Sequence, residues 1–357
     1  MKKLISSLLA LGFITTVVFS NPGKDRVKGP FIFKGGKAAV RKIDLRKLRQ
    51  LPPGKFLKFR RKRSEIPEME RKFRFLKERD FDPVVQTALR KFAMPSPLIS
   101  FDGLDLNNWG AGWPPDTNGD VGKTNVEAGG SNKGYYIQTV NTSIGIFEKD
   151  TGNLVAAFTF DDFFDGTGTA CDNNNYGDPI VLYDRYLDRW IITDFAFADA
   201  YSAPHYECVA MSMTNDPVNG GWYMWGIQIE SNPSTENLLN DYPKLGVWRD
   251  GYYMTFNMFD MSSGGSYTGV RVYALDKNSM ATGTLNYIYF DLPYSSDSRN
   301  WSLLPANAKS PSPPPSGSPN YLLSMADDGW SDNPDGQDEL LLWKFLCGLD
   351  NTIQFSH

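Results

Sequence analysis

The feature of the sequence that most constrains its fold is a repeat that begins at Asp116 and continues toward the end of the chain. The first three repeats each hold four strand-like runs, separated by turns rich in Gly, Asn, Asp and Pro. The steps are regular: 58 residues from Asp120 to Asp178, 63 from there to Asp241, and 62 from Pro243 to Pro305. Four-stranded units at even spacing are typical of β-propellers, and the sequence predicts an all-β, β-propeller-like domain of about four blades.

The fourth unit is predicted to be incomplete. Its strand-like runs are residues 320–329 and 339–345, and the remaining residues contain no convincing fourth strand. An unfinished sheet leaves an unpaired edge, which natural proteins normally avoid. We therefore expect either strand exchange or a chain truncated at its C-terminus. A two-sheet sandwich is the alternative fold, but the even spacing of the repeats argues against it.

The first twenty residues are typical of a secretory signal peptide. Lys2 and Lys3 precede an apolar run over residues 4–18, and small residues near position 20 suit cleavage there. The run is shorter than the roughly 20 residues that a membrane-spanning helix needs, and no later stretch is long and apolar enough. We therefore predict a signal peptide over residues 1–20, a secreted or periplasmic protein after its cleavage, and no membrane span.

Charge divides the remaining chain into two parts. Residues 21–95 hold 23 Lys and Arg against 8 Asp and Glu, a net charge of +15, whereas residues 96–357 hold 12 against 33, a net charge of −21. Such asymmetry is typical of a separate tail or interaction segment. We predict a basic, partly helical or disordered segment that acts as a linker, a pro-segment or a binder of anionic surfaces. A nucleic-acid arm is the least expected role in an exported protein.

Several long motifs resemble those of a poorly characterised family of secreted bacterial proteins. They are WPPDTNGDVG at 113–122, IFEKDTG at 146–152, GDPIVLYDRYLDRWIITDFA at 177–196, DYPKLGVWRDGYYMTFNMF at 241–259 and PPPSGSPNYLLSMADD at 313–328. The resemblance spans roughly residues 82–345. It implies a propeller-like fold and an exported location, and no agreed activity. It also implies a chain that continues past the position of Phe345 with further β-rich sequence.

The strongest candidate site is a cation site in the first unit. Asp116, Asn118 and Asp120 offer alternate oxygen ligands in a Gly-containing loop. Glu127 lies eleven residues after Asp116, where a calcium loop places its bidentate acid. Val121 stands where such a loop needs glycine, so a helix–loop–helix site is not expected. A turn whose side chains bond their own backbone is the alternative, and the sequence leaves a Ca²⁺ site and a turn both open.

Three carboxylates recur at the start of the innermost predicted strand of their units: Asp120, Asp178 and Asp241. In a propeller these starts lie near the axis, so the three groups could ring an axial cation or a polar ligand. Alternatively, each Asp caps the turn through which its strand begins.

Cysteine usage agrees with export. Cys171 and Cys208 lie within the second unit, and an oxidising compartment favours a disulfide between them. Cys347 is the odd cysteine and has no predicted partner. We therefore predict one disulfide, Cys171–Cys208.

No catalytic constellation stands out. The chain contains 2 His, and a Ser-His-Asp arrangement would have to use His205 in a predicted turn. Acidic pairs that a glycosidase could use are present, although such pairs are common in any acidic surface loop. The pairs are Asp161 with Asp162, Asp184 with Asp188, and Asp327 with Asp328.

The function predicted from these features is a secreted, non-enzymatic binding or adhesion module for a surface glycan, polymer or protein. Ca²⁺ is its candidate stabilising ion. The alternative function is a secreted carbohydrate-active hydrolase or lyase that uses paired Asp carboxylates. Nucleic acid is not expected as a partner.

Overall fold

The computed structural model describes residues 27–51, 95–105, 115–123, 134–330, 332–347 and 353–356. The predicted signal peptide over residues 1–20 and the predicted calcium ligand Glu127 lie outside these ranges. Within them the protein is all-β, because strands in four antiparallel sheets form most of the regular structure. In this part of the chain no helix combines the length and the apolar character needed to cross a membrane.

The strands are numbered in chain order. They are β1 (Lys28–Lys37), β2 (Ala39–Arg41), β3 (Thr117–Val121), β4 (Tyr135–Val140), β5 (Ser143–Glu148), β6 (Leu154–Thr159), β7 (Asn175–Asp184), β8 (Arg189–Asp199), β9 (Ser202–Ser212), β10 (Trp222–Gln228), β11 (Leu238–Val247), β12 (Gly251–Asp260), β13 (Ser266–Asp276), β14 (Thr284–Pro293), β15 (Leu304–Pro305), β16 (Asn320–Ala326), β17 (Glu339–Cys347) and β18 (Ile353–Ser356). Two short helices join them, α1 (Phe160–Phe164) and α2 (Lys277–Met280).

Each repeat forms a four-stranded meander in which strands consecutive along the chain are hydrogen-bonded neighbours. Sheet I contains β3 to β6, sheet II contains β7 to β10, sheet III contains β11 to β14, and sheet IV contains β15 to β18. The four repeats of the sequence therefore correspond to the four sheets, as the spacing of the turns predicts.

The prediction of an incomplete fourth unit is wrong in one respect, because sheet IV has a fourth strand. Strand β18 pairs with β17, with Ser356 opposite Lys344 and Ile353 opposite Cys347. The strand is four residues long. A run this short shows too little apolar alternation to be recognised from sequence alone.

The prediction of a helical or disordered basic segment is wrong for residues 27–51. Strand β1 pairs with β14 at the edge of sheet III, and β2 pairs with β10 at the edge of sheet II. Cross-strand aromatic stacking holds β1, with Phe31 on Tyr289 and Phe33 on Tyr287 at 4.7 and 4.8 Å between ring centroids. Each of these two sheets therefore has five strands.

Successive sheets pack face to face through apolar side chains. Strands β8 and β12 are buried along almost their whole length, which explains their continuous apolar runs. The core is represented by Ile137 and Trp190 between sheets I and II, Trp225 and Tyr252 between II and III, and Tyr253 and Trp343 between III and IV.

The predicted disulfide Cys171–Cys208 is present. Cys171 lies in a short turn of helix before β7, and Cys208 lies in β9. Both side chains are fully buried in the apolar cluster between sheets I and II. The bridge therefore ties the entry of the sheet II repeat to the third strand of that repeat.

Candidate functional site

A cavity of about 930 Å³ lies where the first strands of all four sheets meet. Strands β3, β7, β11 and β15 each contribute to its wall, and β16 and β17 extend it along sheet IV. The apolar part of the wall consists mainly of Leu and Pro side chains. The groups in it that can bind a polar ligand are Asp116, Thr117, Asn118, Asp178, Tyr242, Lys244, Asn307 and Tyr321.

Two of these residues occupy equivalent bulges in neighbouring sheets. Asp178 and Tyr242 each precede a proline, and both have a left-handed backbone, with φ of 51° and 55°. The pairing register slips at both points, between Gly177 and Ile180 in β7 and at the matching residues of β11. Bulges re-aim side chains, and left-handed non-glycine residues persist where their surroundings enforce them. Both side chains line the cavity.

The three predicted axial carboxylates are placed differently from one another. Asp178 belongs to the cavity wall. The bulges align Asp178 with Tyr242, so Asp241 matches Gly177 instead. The Asp241 carboxylate accepts a hydrogen bond from the backbone N–H of Tyr242 at 2.8 Å, which is the alternative turn role predicted for it.

Asp120 connects sheets and does not belong to the cavity wall. Its carboxylate accepts hydrogen bonds from the backbone N–H of Val121 at 2.8 Å and of Tyr183, in sheet II, at 2.7 Å. It also pairs with the Lys309 ammonium from the segment that follows β15. A single carboxylate therefore joins three parts of the repeat array.

Two of the predicted calcium ligands of the first unit, Asn118 and Asp120, lie on a strand rather than in a loop. Residues Thr117–Val121 form β3, and the Asn118 amide oxygen accepts from the backbone N–H of Val181 at 3.0 Å. The Asp116 carboxylate accepts from the Asn141 side chain at 2.8 Å. Each of these oxygens is thus directed to a different neighbour. The fourth predicted ligand, Glu127, lies outside the described residues.

A group of carboxylates that could hold one cation is found instead in sheet IV. Asp327, Asp328 and Asp338 lie in the connection between β16 and β17, and their oxygens come within 4.8 Å of one another. Oxygen ligands of this kind suit Ca²⁺. Exposed acidic groups of this kind are also common without an ion.

The proline-rich segment after β15 is tied to sheets II and III. The backbone of Ala308 donates to Val247 O at 2.8 Å, and the Asn307 amide oxygen accepts from Val247 N–H at 3.1 Å. The hydroxyl of Tyr186 donates to Ser310 O at 3.1 Å, and similar contacts involve Trp248. Since β7 ends at Asp184 and β11 at Val247, the segment lies across the ends of these two strands that are remote from their bulges.

His205 is fully buried in β9 rather than exposed in a turn. Its Nδ1 lies 2.6 Å from the carboxylate of Glu230, whose side chain is also fully buried. Its Nε2 lies 3.1 Å from the carbonyl oxygen of Ala200. The same Glu230 carboxylate accepts backbone N–H groups of His205 and Leu238, so the pair fastens the start of β9 to the start of β11. This arrangement is structural, since the imidazole ring of His205 and the carboxylate of Glu230 are both inaccessible from the surface.

The acidic pairs proposed from sequence for a glycosidase are engaged elsewhere. Asp184 is fully buried and binds the ammonium of Lys277 and the hydroxyl of Tyr252, both at 3.1 Å. The Asp162 carboxylate accepts from the Thr159 hydroxyl at the start of α1, and the Asp161 carboxylate accepts from the Asn175 side chain. None of these three carboxylates belongs to the cavity wall.

Glu207 is a further buried acid that the sequence did not single out. It lies in β9 and accepts a hydrogen bond from the Asn240 side chain of β11 at 3.1 Å. Burial raises the pKa of its carboxyl well above the usual value, and the nearby Asp178 charge adds to the effect. The charge of Glu207 is therefore coupled to that of Asp178 in the cavity wall.

Lys244 supplies a cation to the cavity wall. Burial lowers the pKa of its ammonium to about 8, although Asp241 and Asp178 favour the protonated form. The ammonium lies 3.9 Å from the centroid of the Tyr242 ring, which is a cation–π contact. The wall thus carries a cation, a carboxylate and an aromatic ring within a few residues.

The stability of the protein is expected to rise with pH above about 8 because of Lys244. The unfolded chain keeps the lysine proton to a higher pH than the folded one, so proton release favours folding in this range. The slope approaches about 1.4 kcal/mol per pH unit. Urea unfolding near pH 7.5 and 9.5 should show wild type gaining stability relative to Lys244→Met. Identical pH responses of the two proteins would contradict the assignment.

Comparisons of the sequence and of the structure with known proteins find only weak similarity. No family model matches the chain, and no curated protein matches it. One similar solved structure is an alpha-L-arabinofuranosidase from Lactobacillus brevis, with 12% identity and a TM-score of 0.29 over 67% of this chain and 92% of that one. Another is an exo-beta-1,3-galactanase from Phanerochaete chrysosporium with galactose, with 10% identity and a TM-score of 0.23 over 64% of this chain and 61% of that one. Likeness at this level assigns no activity to the chain.

Proposed function

We propose that the protein is a secreted β-propeller-like module that binds a saccharide chain in the cavity where its four sheets meet. The observation that carries the proposal is the composition of that wall. The exposed side chain of Tyr242 lies there with a carboxylate, an amide and an ammonium group, represented by Asp178, Asn307 and Lys244. The four sheets are, on this proposal, the blades of the propeller.

The chemistry of the wall suits a sugar. A pyranose ring presents apolar C–H groups that pack on an aromatic face, and hydroxyl groups that need both donors and acceptors. Tyr242 is 59% exposed and offers such a face, while Asp178 accepts and Lys244 donates. Ligand sites generally combine an apolar wall with a few well-placed polar groups, as this cavity does.

Binding without turnover is favoured because several carboxylates that the sequence offers for catalysis stabilise the fold instead. Asp184 is sealed in a buried ion pair, and Asp120 and Asp241 accept backbone N–H groups. The carboxylates that line the cavity are Asp116 and Asp178. These two are the groups that the alternative function, a carbohydrate-active hydrolase, would have to use.

Export and calcium remain parts of the proposal. A buried disulfide is typical of proteins that fold in an oxidising compartment, which agrees with the predicted signal peptide. For Ca²⁺, the carboxylates of Asp327, Asp328 and Asp338 are the better placed oxygen set among the described residues. On this proposal the ion would stabilise the connection in sheet IV and take no part in binding sugar.

The variant Tyr242→Ala is expected to weaken saccharide binding by roughly five- to tenfold, because one aromatic contact contributes about 1 kcal/mol. An array of soluble neutral and uronic-acid polysaccharides identifies the ligand, and calorimetry with its oligosaccharide measures the loss. Tyr201→Ala is the matched control, since Tyr201 is 49% exposed and lies outside the cavity.

Two results would contradict the proposal. Equal affinities of wild type and Tyr242→Ala, or no saccharide bound at all, would remove the cavity as a sugar site. Release of reducing ends by wild type that Asp178→Asn abolishes would replace binding with hydrolysis.

A further inference from the structure

Sheet IV has an apolar face that nothing in the described residues covers. The side chains of β16 alternate strictly between buried and exposed positions. Apart from Lys344 near the end of β17, those on the exposed side of β16 and β17 are large and apolar, which is unusual for a solvent-facing sheet surface. This surface, called here the apolar face of sheet IV, consists of Tyr321, Leu323, Met325, Leu340 and Leu342, which are between 38% and 76% exposed.

The corresponding faces of the other sheets are covered by a neighbour. Sheet IV itself covers sheet III, where Val272 and Phe290 pack against Leu322 and Trp343. The far face of sheet I is covered by chain from outside the repeats, since Leu51 and other residues pack there. Among the described residues, the apolar face of sheet IV is therefore the exception. Its composition is that of a surface made for burial.

We infer that residues 52–94 of this chain pack against the apolar face of sheet IV. These residues lie outside the described ranges. The described residues on either side of them contact sheet I. Before them, Leu51 donates its N–H to Ala157 O of sheet I at 2.8 Å. After them, the N–H of Leu104 is held by the Gln138 side chain of the same sheet at 2.5 Å.

The flanking residues place the segment next to the surface it would cover. Leu51 and Leu104 belong to one apolar cluster on the face of sheet I that is turned away from sheet II. The cavity is lined both by β3 of sheet I and by Tyr321, Leu323 and Leu342, so the apolar face of sheet IV borders the space beside sheet I. A chain of 43 residues reaches roughly 140 Å when extended, which is ample for this crossing.

The composition of the segment matches the surface in two ways. It contains many large apolar residues, among them five phenylalanines between positions 56 and 81. It also holds 13 Lys and Arg against 6 Asp and Glu, a net charge of +7. Residues 327–338, which border the apolar face between β16 and β17, contain five Asp and no Lys or Arg, and Arg299 pairs with one of the five, Asp335. Opposite charges of this kind orient an association that apolar contact then stabilises.

Charge also argues against a second copy as the occupant. Two copies that paired through this face by a two-fold axis would each bring a five-Asp connection to the interface. Like charges held close together in an interface oppose association. The basic segment of the same chain has no such penalty, and it is covalently held near the surface at a high effective concentration.

A photo-cross-linking experiment on the full chain tests the inference. Benzoylphenylalanine placed at position 340, which is exposed and lies outside the cavity wall, should on irradiation attach to a peptide within residues 52–94. The product should keep the mass of one chain, and its yield should fall as salt is raised. The matched control carries the probe at position 32, where Ile32 is 55% exposed on sheet III, and should give no such peptide.

Two outcomes would overturn the inference. A product with the mass of two chains would assign the face to a second copy. Cross-linking to residues 52–94 no greater from position 340 than from position 32 would show that the segment does not pack there. An independent measurement is trypsin cleavage within residues 52–94, which Leu340→Asp should accelerate about tenfold and Ile32→Asp should leave unchanged. Equal cleavage of both variants would also overturn the inference.

Discussion

Replacing Lys277 by methionine is expected to lower the free energy of unfolding by about 3–5 kcal/mol, because it leaves a buried carboxylate without its cation. The Lys277 ammonium lies 3.1 Å from the Asp184 carboxylate and donates to Trp248 O at 2.8 Å. The two side chains are 3% and 0% exposed. Burial lowers the pKa of Lys277, and the Asp184 charge opposes that shift. The pair joins sheet II to the end of sheet III, so its loss weakens their interface.

Urea unfolding measures the effect, and two further variants define it. Lys123→Met removes an ion pair with Asp188 in which both side chains are nearly half exposed, and should cost less than about 1 kcal/mol. Lys277→Met combined with Asp184→Asn should recover part of the loss, because the amide no longer carries an unpaired charge. A small loss for Lys277→Met alone, similar to that of Lys123→Met, would show that water reaches the pair.

Removing the disulfide is expected to destabilise the protein by about 3–4 kcal/mol, the second large effect. Cys171 and Cys208 are separated by 37 residues, and the bridge restricts the unfolded chain over that loop. The double variant Cys171→Ala with Cys208→Ala is compared with wild type by urea unfolding. Both proteins carry Cys347→Ser, so that no third thiol can exchange with the bridge.

The result discriminates between two roles of the bridge. A loss near the expected value, with the slope of the unfolding transition altered, indicates that the bridge acts mainly on the unfolded chain. Unchanged stability would show that burial of the two side chains, rather than the covalent bond, holds this part of sheet II.

The repeat architecture can be predicted from the sequence because local patterns of apolar and turn residues indicate strands. Runs such as residues 189–196 and 251–259 are apolar and bounded by turns, and they became β8 and β12. Strand β1 was missed for the opposite reason. Its partner β14 lies some 250 residues away, and its glycines conceal any alternation. Pairing at such a distance cannot be deduced from local propensity.

The candidate site was predicted only in part. Asp178 was singled out and lines the cavity, whereas Tyr242, Lys244 and Tyr321 were not recognised. Tyr242 could have been identified from the proline that follows it, because Asp178 is also followed by a proline. Aligning the two repeats on these prolines, rather than on their aspartates, places Tyr242 opposite Asp178. The partners of Asp120 lie in another sheet and depend on how the repeats pack, which a single sequence does not encode locally.

The N-terminal part of the described chain visits the sheets in reverse order. Strand β1 joins sheet III, β2 joins sheet II, and Leu51 is bonded to sheet I, whereas the repeats themselves run from I to IV. In a linear array each unit contacts only its neighbours, so units can open one at a time. Here a single stretch of chain spans three units, and detaching any one of them disturbs its hold on the others. We therefore expect the first three repeats to melt as one cooperative body rather than in succession.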